Sequence, residues 1–410
     1  MHVHGCFPLN VDYTGRVTIR MRDRIDADIL ARALAKTQKR YPYFLLRLRY
    51  NESAYYYDEN PLPVVLLNTT GRISLNTPEV NYHLWGVCYH DDYIHLDTFH
   101  GMTDGTGMYH ILSTLLYYYC EERYGVTDHR GIRTLEDEIT PEETVDPQDF
   151  LPDIDLSKVT PPRYKEAFVP ETDGKLTLSP PTLWDVAIPE AAFIPFISAN
   201  DASPGTMVSL LLARAIDSLY PDAAKDIIGV YVINARPMLD ARETCHNCLG
   251  MAFFDYEPRL RAKSINTQCT IYRGKTFLQS DRDIVRQALT VSANSIRDIV
   301  RSSPTLSAKK ENFAKLFASG EGYVSYLVSY VGKWAHPAIG EYIREFWTHP
   351  PNTFSLMAEI AAVNGYFFIS IQQRFRENCI REAFLRQLEE YRIPYEVVRV
   401  MDSDIPYMHD

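Results

Sequence analysis

A histidine, an aspartate and a glycine lie close together in the stretch YIHLDTFHGMTDGTGMYHIL, residues 93–112. His100 ends an alternating apolar strand, and Asp104 and Gly105 follow before a helical pattern begins near Met108. An imidazole exchanges protons near neutral pH, and a nearby carboxylate can support it. The spacing therefore permits a catalytic base with a supporting carboxylate, and it equally fits a strand-end histidine followed by a turn aspartate.

The composition is that of a globular protein with more than one core. The chain has 410 residues, of which 46% are hydrophobic and 23% charged, and its net charge is −11. Single cores tend to divide above about 250–300 residues, and an acidic chain is a poor nucleic-acid binder. No apolar run approaches the roughly 18 residues of a membrane span, and the first residues lack the order of a signal peptide. Seven cysteines without disulfide spacing fit reduced thiols. A cytoplasmic protein is expected.

Two α/β regions, 1–127 and 183–410, flank a proline-rich acidic stretch at 128–182, which we interpret as a crossover running over the surface. The first region predicts a helix capped by Asp26, two strands joined near Asn51, the strand ending at His100, and a helix from about Met108. The second predicts an apolar helix in GTMVSLLLARAIDSLYP, a strand in DIIGVYVINARP, helices in DRDIVRQALTVSANSIRDIVRS and SAKKENFAKLFAS, and a strand in GYVSYLVSYVG.

Four of these stretches occur in an order typical of one protein superfamily. They are RYPYFLLRLRY (40–50), HGMTDG (100–105), VINARP (232–237) and LVSYVG (327–332). Together they resemble the alcohol acetyltransferase and condensation-domain superfamily of CoA-dependent acyltransferases, with HGMTDG similar to the end of its HHxxxDG motif. The resemblance spans about residues 10–395. It implies an α/β fold of two chloramphenicol-acetyltransferase-like halves that form a V around a channel.

The resemblance also implies roles for particular residues. His100 would be the general base for transfer of an acyl group from acyl-CoA to a hydroxyl or amine. Asp104 would pair with Arg236 and, with Gly105, support the motif. Substrate would meet Ser329, Tyr330 and Gly332, of which Ser329 is a candidate oxyanion donor. A carrier-bound thioester is an alternative donor, no permanent cofactor or metal is expected, and a monomer would suffice.

Several observations leave other interpretations open. Phe99 stands where the family has its first histidine, so a catalytically inactive scaffold is the rival function. The CHNC segment has metal-ligand spacing at Cys245 and Cys248, but it lacks a second pair nearby, and His2, His4 and Cys6 are only remote candidates. The lysines of SAKKENFAKLF, which are Lys309, Lys310 and Lys315, could meet CoA phosphates or form a solvated helix face.

Overall fold

The computed structural model describes residues 13–151, 165–351 and 353–402. His2, His4 and Cys6 lie outside these ranges, as does part of the 128–182 stretch. The described strands, in chain order, are β1 (Thr14–Met21), β2 (Leu46–Tyr50), β3 (Tyr55–Glu59), β4 (Leu66–Asn68), β5 (Trp85–His90), β6 (Tyr93–Phe99), β7 (Leu178–Pro189), β8 (Ile227–Asn234), β9 (Leu249–Tyr256), β10 (Tyr326–Lys333), β11 (Ile343–His349), β12 (Leu356–Val363), β13 (Tyr366–Phe375) and β14 (Glu396–Asp402).

Helices cover and connect these strands. They are α1 (Ala27–Arg40), α2 (Gly105–Tyr124), α3 (Pro141–Thr144), α4 (Glu190–Ala199), α5 (Pro204–Leu219), α6 (Arg236–Leu239), α7 (Pro258–Arg261), α8 (Ile265–Gln279), α9 (Arg282–Ser302), α10 (Leu306–Glu321), α11 (Pro337–Gly340) and α12 (Cys379–Glu390). Within the described ranges, none of them combines the length and apolar character needed to cross a membrane. The chain is thus a mixed α/β protein, as predicted.

Two large sheets organise the core. The first has the order β11-β1-β6-β5-β4, and the second has the order β14-β7-β13-β12-β10-β8-β9, while β2 and β3 form a hairpin. One cluster of buried apolar side chains lies under each large sheet. Strand β11 comes from the C-terminal region but pairs with β1 of the N-terminal region, Arg16 opposite His349. The first sheet is therefore completed by a strand from far along the chain.

Capping residues set the N-terminal starts of helices α1 and α2. The Asp26 side chain accepts hydrogen bonds from two backbone N–H groups at the start of α1. The Asp104 side chain caps α2 by accepting one such hydrogen bond, from Gly107 N at 3.1 Å. Helix α2 consequently begins at Gly105, earlier than the apolar periodicity predicted, because the cap rather than the first apolar residue sets its start.

Other expectations from the sequence differ from the structure. Strand β8 ends at Asn234, and Arg236 begins the short helix α6 instead of continuing to the predicted strand end at Pro237. The predicted surface crossover includes Glu143, which is buried and paired with Arg40 at 2.9 Å and with Arg133 at 3.4 Å. A buried carboxylate needs such partners, so this part of the crossover packs into the protein.

The β2–β3 hairpin packs on α9 and α10 through a small apolar cluster that contains Tyr55 and Phe313. Lys309 donates from Nζ to the Ser53 carbonyl oxygen at 2.6 Å, and Lys310 lies over the Tyr55 ring at 5.1 Å. These lysines bind the hairpin of the first region to a helix of the second. Lys315 remains exposed and pairs with Glu311 on the same helix.

Candidate active site

A cavity lies between the two large sheets at the start of α2. Its wall combines β1 and the His100 turn with the facing strands β10 and β12 and the end of β11. Of the residues predicted from the sequence, four line it, namely His100, Gly105, Ser329 and Tyr330. His100 and Gly105 follow β6 of the first sheet, whereas Ser329 and Tyr330 lie on β10 of the second. The approach of the two sheets thus brings together residues more than 200 positions apart.

The backbone of His100 is held from both sides. Its N–H donates to the Tyr13 carbonyl oxygen at 2.8 Å, and its carbonyl oxygen accepts from Asn247 Nδ2 at 2.5 Å. The Tyr13 ring lies 5.4 Å from the imidazole, centre to centre. Phe99, which replaces the family's first histidine, is buried in the core and does not line the cavity. Its side chain therefore occupies a packing position.

The imidazole of His100 is kept neutral by its surroundings. Burial lowers the pKa of His100 below its usual value, and a hydrogen bond with its own backbone, the charge of Asp104 and a hydrogen bond with Asn247 oppose this only in part. The Nδ1 atom is shielded from solvent. A histidine in this state is able to accept a proton at neutral pH.

Asp104 and Arg236 form a buried two-pronged ion pair. Arg236 Nη2 and Nη1 donate to the two Asp104 carboxylate oxygens at 2.8 and 2.9 Å, and both side chains are almost fully buried. The carboxylate also accepts from Cys248 N at 2.8 Å, and the guanidinium donates to the carbonyl oxygens of Thr244 and His246. This network joins the start of α2 to the segment after β8, and so it fixes the turn that carries His100.

The glycines after Asp104 allow two parts of the fold to approach closely. A Cβ atom on Gly105 would lie 2.5 Å from Val331 Cγ2, and one on Gly107 would overlap the Thr103 hydroxyl and the Cys245 carbonyl oxygen. Neither glycine has a positive φ angle. Space, rather than turn geometry, is the reason for glycine at both positions.

In the SYVG segment of β10 (residues 329–332), Ser329 and Tyr330 line the cavity. Burial raises the pKa of Tyr330 to about 12, so its hydroxyl stays protonated. Gly332 is not among the residues that line the cavity; it lies where the pairing of β10 with β12 becomes irregular, with φ of 126°. Its backbone conformation explains the glycine, and the structure does not place it with Ser329 in the wall.

Glu359 is a wall residue that the sequence analysis did not single out. It stands on β12 directly opposite Ser329 of β10. Burial raises the pKa of Glu359 to about 7, and a hydrogen bond with Ser329 opposes this rise. The sequence marks this position, because in LMAEIAAV a single carboxylate interrupts an apolar strand. Such an interruption marks a buried charge, which usually has a partner or a function.

The Tyr109 hydroxyl lies within reach of the charge of this carboxylate. Burial raises the pKa of Tyr109, the charge of Glu359 raises it further, and a hydrogen bond with Thr348 opposes the rise. The Tyr109 and Thr348 hydroxyl oxygens are shielded from solvent.

The remaining charged groups of the wall already have partners. Arg16 pairs with Asp97 at 2.6 Å. His349 Nε2 lies 3.2 Å from both carboxylate oxygens of Asp185. His349 is thus a hydrogen-bonded core residue that also lines the cavity.

The CHNC segment has structural contacts. Arg133 Nη1 donates to the sulfur of Cys245 at 2.8 Å, and His246 Nδ1 lies 3.0 Å from the Met102 carbonyl oxygen. Cys248 is buried beside the ion pair of Asp104. In the ranges that the structure describes, no group of three or more His, Cys, Asp or Glu side chains is arranged to hold a metal ion.

Comparison with known proteins gives a fold. No protein-family model matches the chain, and no curated protein sequence matches it. Among solved structures, TRI101 of F. sporotrichioides with coenzyme A and T-2 is 12% identical, with 96% of this chain and 98% of that chain covered and a TM-score of 0.60. The TRI3 trichothecene 15-O-acetyltransferase of Fusarium sporotrichioides is 12% identical over 95% and 92%, with a TM-score of 0.60.

A condensation domain is also similar in structure to this chain. The first condensation domain of the CDA synthetase is 13% identical, with 95% of this chain and 93% of that chain covered and a TM-score of 0.59. These similarities extend over almost the whole chain. The protein therefore shares its α/β fold with these acetyltransferase and condensation-domain structures, and the α/β fold implied by its ordered motifs is confirmed.

Proposed function

We propose that the protein transfers an acyl group from a thioester, acyl-CoA in the first instance, to a hydroxyl or amine acceptor. The observation that carries this proposal is a partly buried histidine in the wall of the cavity, on a turn fixed by the Asp104–Arg236 pair. The fold shared with TRI101, solved with coenzyme A, and with TRI3, a 15-O-acetyltransferase, supports the choice of reaction.

In this mechanism His100 acts directly on the acceptor. The neutral imidazole takes the proton of the acceptor as its oxygen or nitrogen attacks the thioester carbonyl. The carbonyl oxygen then carries negative charge, for which the Ser329 hydroxyl is the candidate donor. When the carbon–sulfur bond breaks, the leaving thiolate takes the proton from the imidazolium. Base catalysis of this kind contributes roughly 10²–10⁴-fold, and holding both substrates in line contributes further.

Asp104 and Arg236 have a positioning role in this proposal. Their charges neutralise each other away from the cavity wall, so neither touches substrate. Phe99 is compatible with activity, because the missing histidine would have stood in the core and not beside the acceptor.

The test is release of free thiol from a panel of acyl-CoAs with pooled alcohols and amines. Wild type is compared with His100→Ala and with the control His129→Ala, which removes an exposed histidine. The proposal expects release by wild type and the control, and at least about 100-fold less by folded His100→Ala. Equal release by all three would reject His100 as the base.

Absence of release in wild type would direct the assay to thioesters on a carrier protein, the substrate suggested by the condensation-domain fold. No transfer from either donor would favour the inactive scaffold.

A further inference from the structure

Resting on the function proposed above, we propose that the acceptor is an apolar primary amine, bound as its ammonium ion by Glu359. Glu359 would then select amines over alcohols and remove the first proton of the ammonium. His100 would remove the second proton during attack.

Charge balance in the cavity wall supports a cationic ligand. Of the described residues that line the cavity, Glu359 is the only carboxylate, and it forms no ion pair with another described residue. The lining arginine, Arg16, is already neutralised by Asp97, and His349 is already hydrogen-bonded to Asp185. A partly buried carboxylate without an ion-pair partner favours a ligand that brings a positive charge.

The Glu359 carboxylate suits the head group of such a ligand. An ammonium group has three N–H donors and no acceptor. The carboxylate of Glu359 lies in the cavity wall and offers two acceptor oxygens.

The rest of the wall favours an apolar body on the ligand. Apolar side chains line the cavity on both sides of the carboxylate, among them Met108, Leu327, Val331, Phe354 and Met357. A carboxylate among apolar side chains suits a ligand whose ammonium group contacts the carboxylate and whose hydrocarbon part contacts the apolar side chains.

The proton steps balance. The ammonium gives one proton to the Glu359 carboxylate, which leaves a neutral amine and a carboxylic acid. The amine nitrogen forms a bond to the thioester carbon, and His100 takes a second proton from that nitrogen. The carbon–sulfur bond breaks, the thiolate takes the proton from His100, and Glu359 returns its proton to solvent after the amide leaves. The raised pKa of Glu359, about 7, suits a group that takes and returns a proton near neutral pH.

The test uses matched acceptors, hexylamine against hexanol and phenethylamine against phenethyl alcohol, with acetyl-CoA at about pH 8, where an alkylamine is still mostly ammonium. Wild type, Glu359→Gln and the exposed control Glu341→Gln are compared by kcat/KM for thiol release and by calorimetric binding of hexylamine without acetyl-CoA. Glutamine keeps the size of the side chain and removes its charge.

We expect wild type and the control to prefer the amines by at least about 10-fold. In Glu359→Gln, affinity for hexylamine should fall by about 10- to 150-fold, and kcat/KM should fall by about that factor more for the amines than for the alcohols. The inference would be overturned if wild type preferred the alcohols, or if kcat/KM fell equally for both acceptor classes in Glu359→Gln. Either result would still be consistent with acyl transfer. Hexylamine binding that requires Glu359, without thiol release, would keep the cation site and reject acetyl-CoA as the donor. Absence of hexylamine binding would overturn the inference, whether or not thiol is released.

Discussion

Removal of the Asp104 carboxylate should destabilise the whole protein. In Asp104→Ala, Arg236 remains buried, with only carbonyl oxygens and the Asn234 side chain as acceptors. The substitution also removes the acceptor for two backbone N–H groups, those of Gly107 and Cys248. A buried cation without its counterion is the larger of these effects.

The magnitude follows from the burial of the pair. Breaking one side of a buried ion pair costs about 3–5 kcal/mol, and loss of a helix N-cap alone costs about 1 kcal/mol. These losses overlap, so we expect about 3–5 kcal/mol in total. For a chain of 410 residues, an unfolding entropy of about 2.1 cal/mol/K per residue converts this loss into a fall in the thermal midpoint of roughly 3–6 °C.

The measurement is thermal and urea unfolding followed by circular dichroism. The matched control is Asp128→Ala, which removes an equally short ion pair, with Arg130, from an exposed position. The control should leave the midpoint almost unchanged, because exposed pairs contribute little. The double variant Asp104→Ala with Arg236→Met should recover part of the loss, since no buried charge remains.

Equal midpoints for wild type and Asp104→Ala would refute the argument. So would equal losses for Asp104→Ala and the exposed control, because burial would then have no energetic effect. A double variant less stable than either single variant would show that the two side chains stabilise the fold through separate contacts.

Three further results are expected. Gly107→Ala should cost about 1–3 kcal/mol in urea unfolding, because its Cβ would overlap backbone, whereas Gly274→Ala, on the open side of α8, should be neutral or stabilising. The kcat/KM for acyl transfer should fall as the pH drops through the lowered pKa of His100, below about 6.5, because only the neutral imidazole accepts a proton; a fall beginning well above that pH would contradict it. Lys309→Met should cost about 1.5–3 kcal/mol and increase proteolysis of the β2–β3 hairpin, while Lys315→Met should change neither.

Local patterns predicted much of the fold. The alternation of Tyr93–Phe99 and the cap at Asp26 depend on neighbours in sequence, and the structure has both elements where they were expected. The sequence did not predict β11 and β12, because β11 mixes charged and apolar residues without alternation and β12 is an almost continuous apolar run. The strand character of both depends on pairing with distant segments. The position of Arg236 was read as strand for the same reason: the short turn that holds it forms around Asp104, 132 residues earlier.

The sequence by itself determined the types of residue, the order of the motifs and, through them, the superfamily fold. It also indicated His100 and Asp104 as a unit, because a strand end and a helix cap are local features. The tertiary structure alone decided which distant side chains share the cavity. Glu359 faces Ser329 because β12 pairs in parallel with β10, and Tyr109 meets Thr348 because β11 joins the first sheet. Such contacts depend on strand order and register, which are set by the packing of the whole chain and not by any short stretch of it.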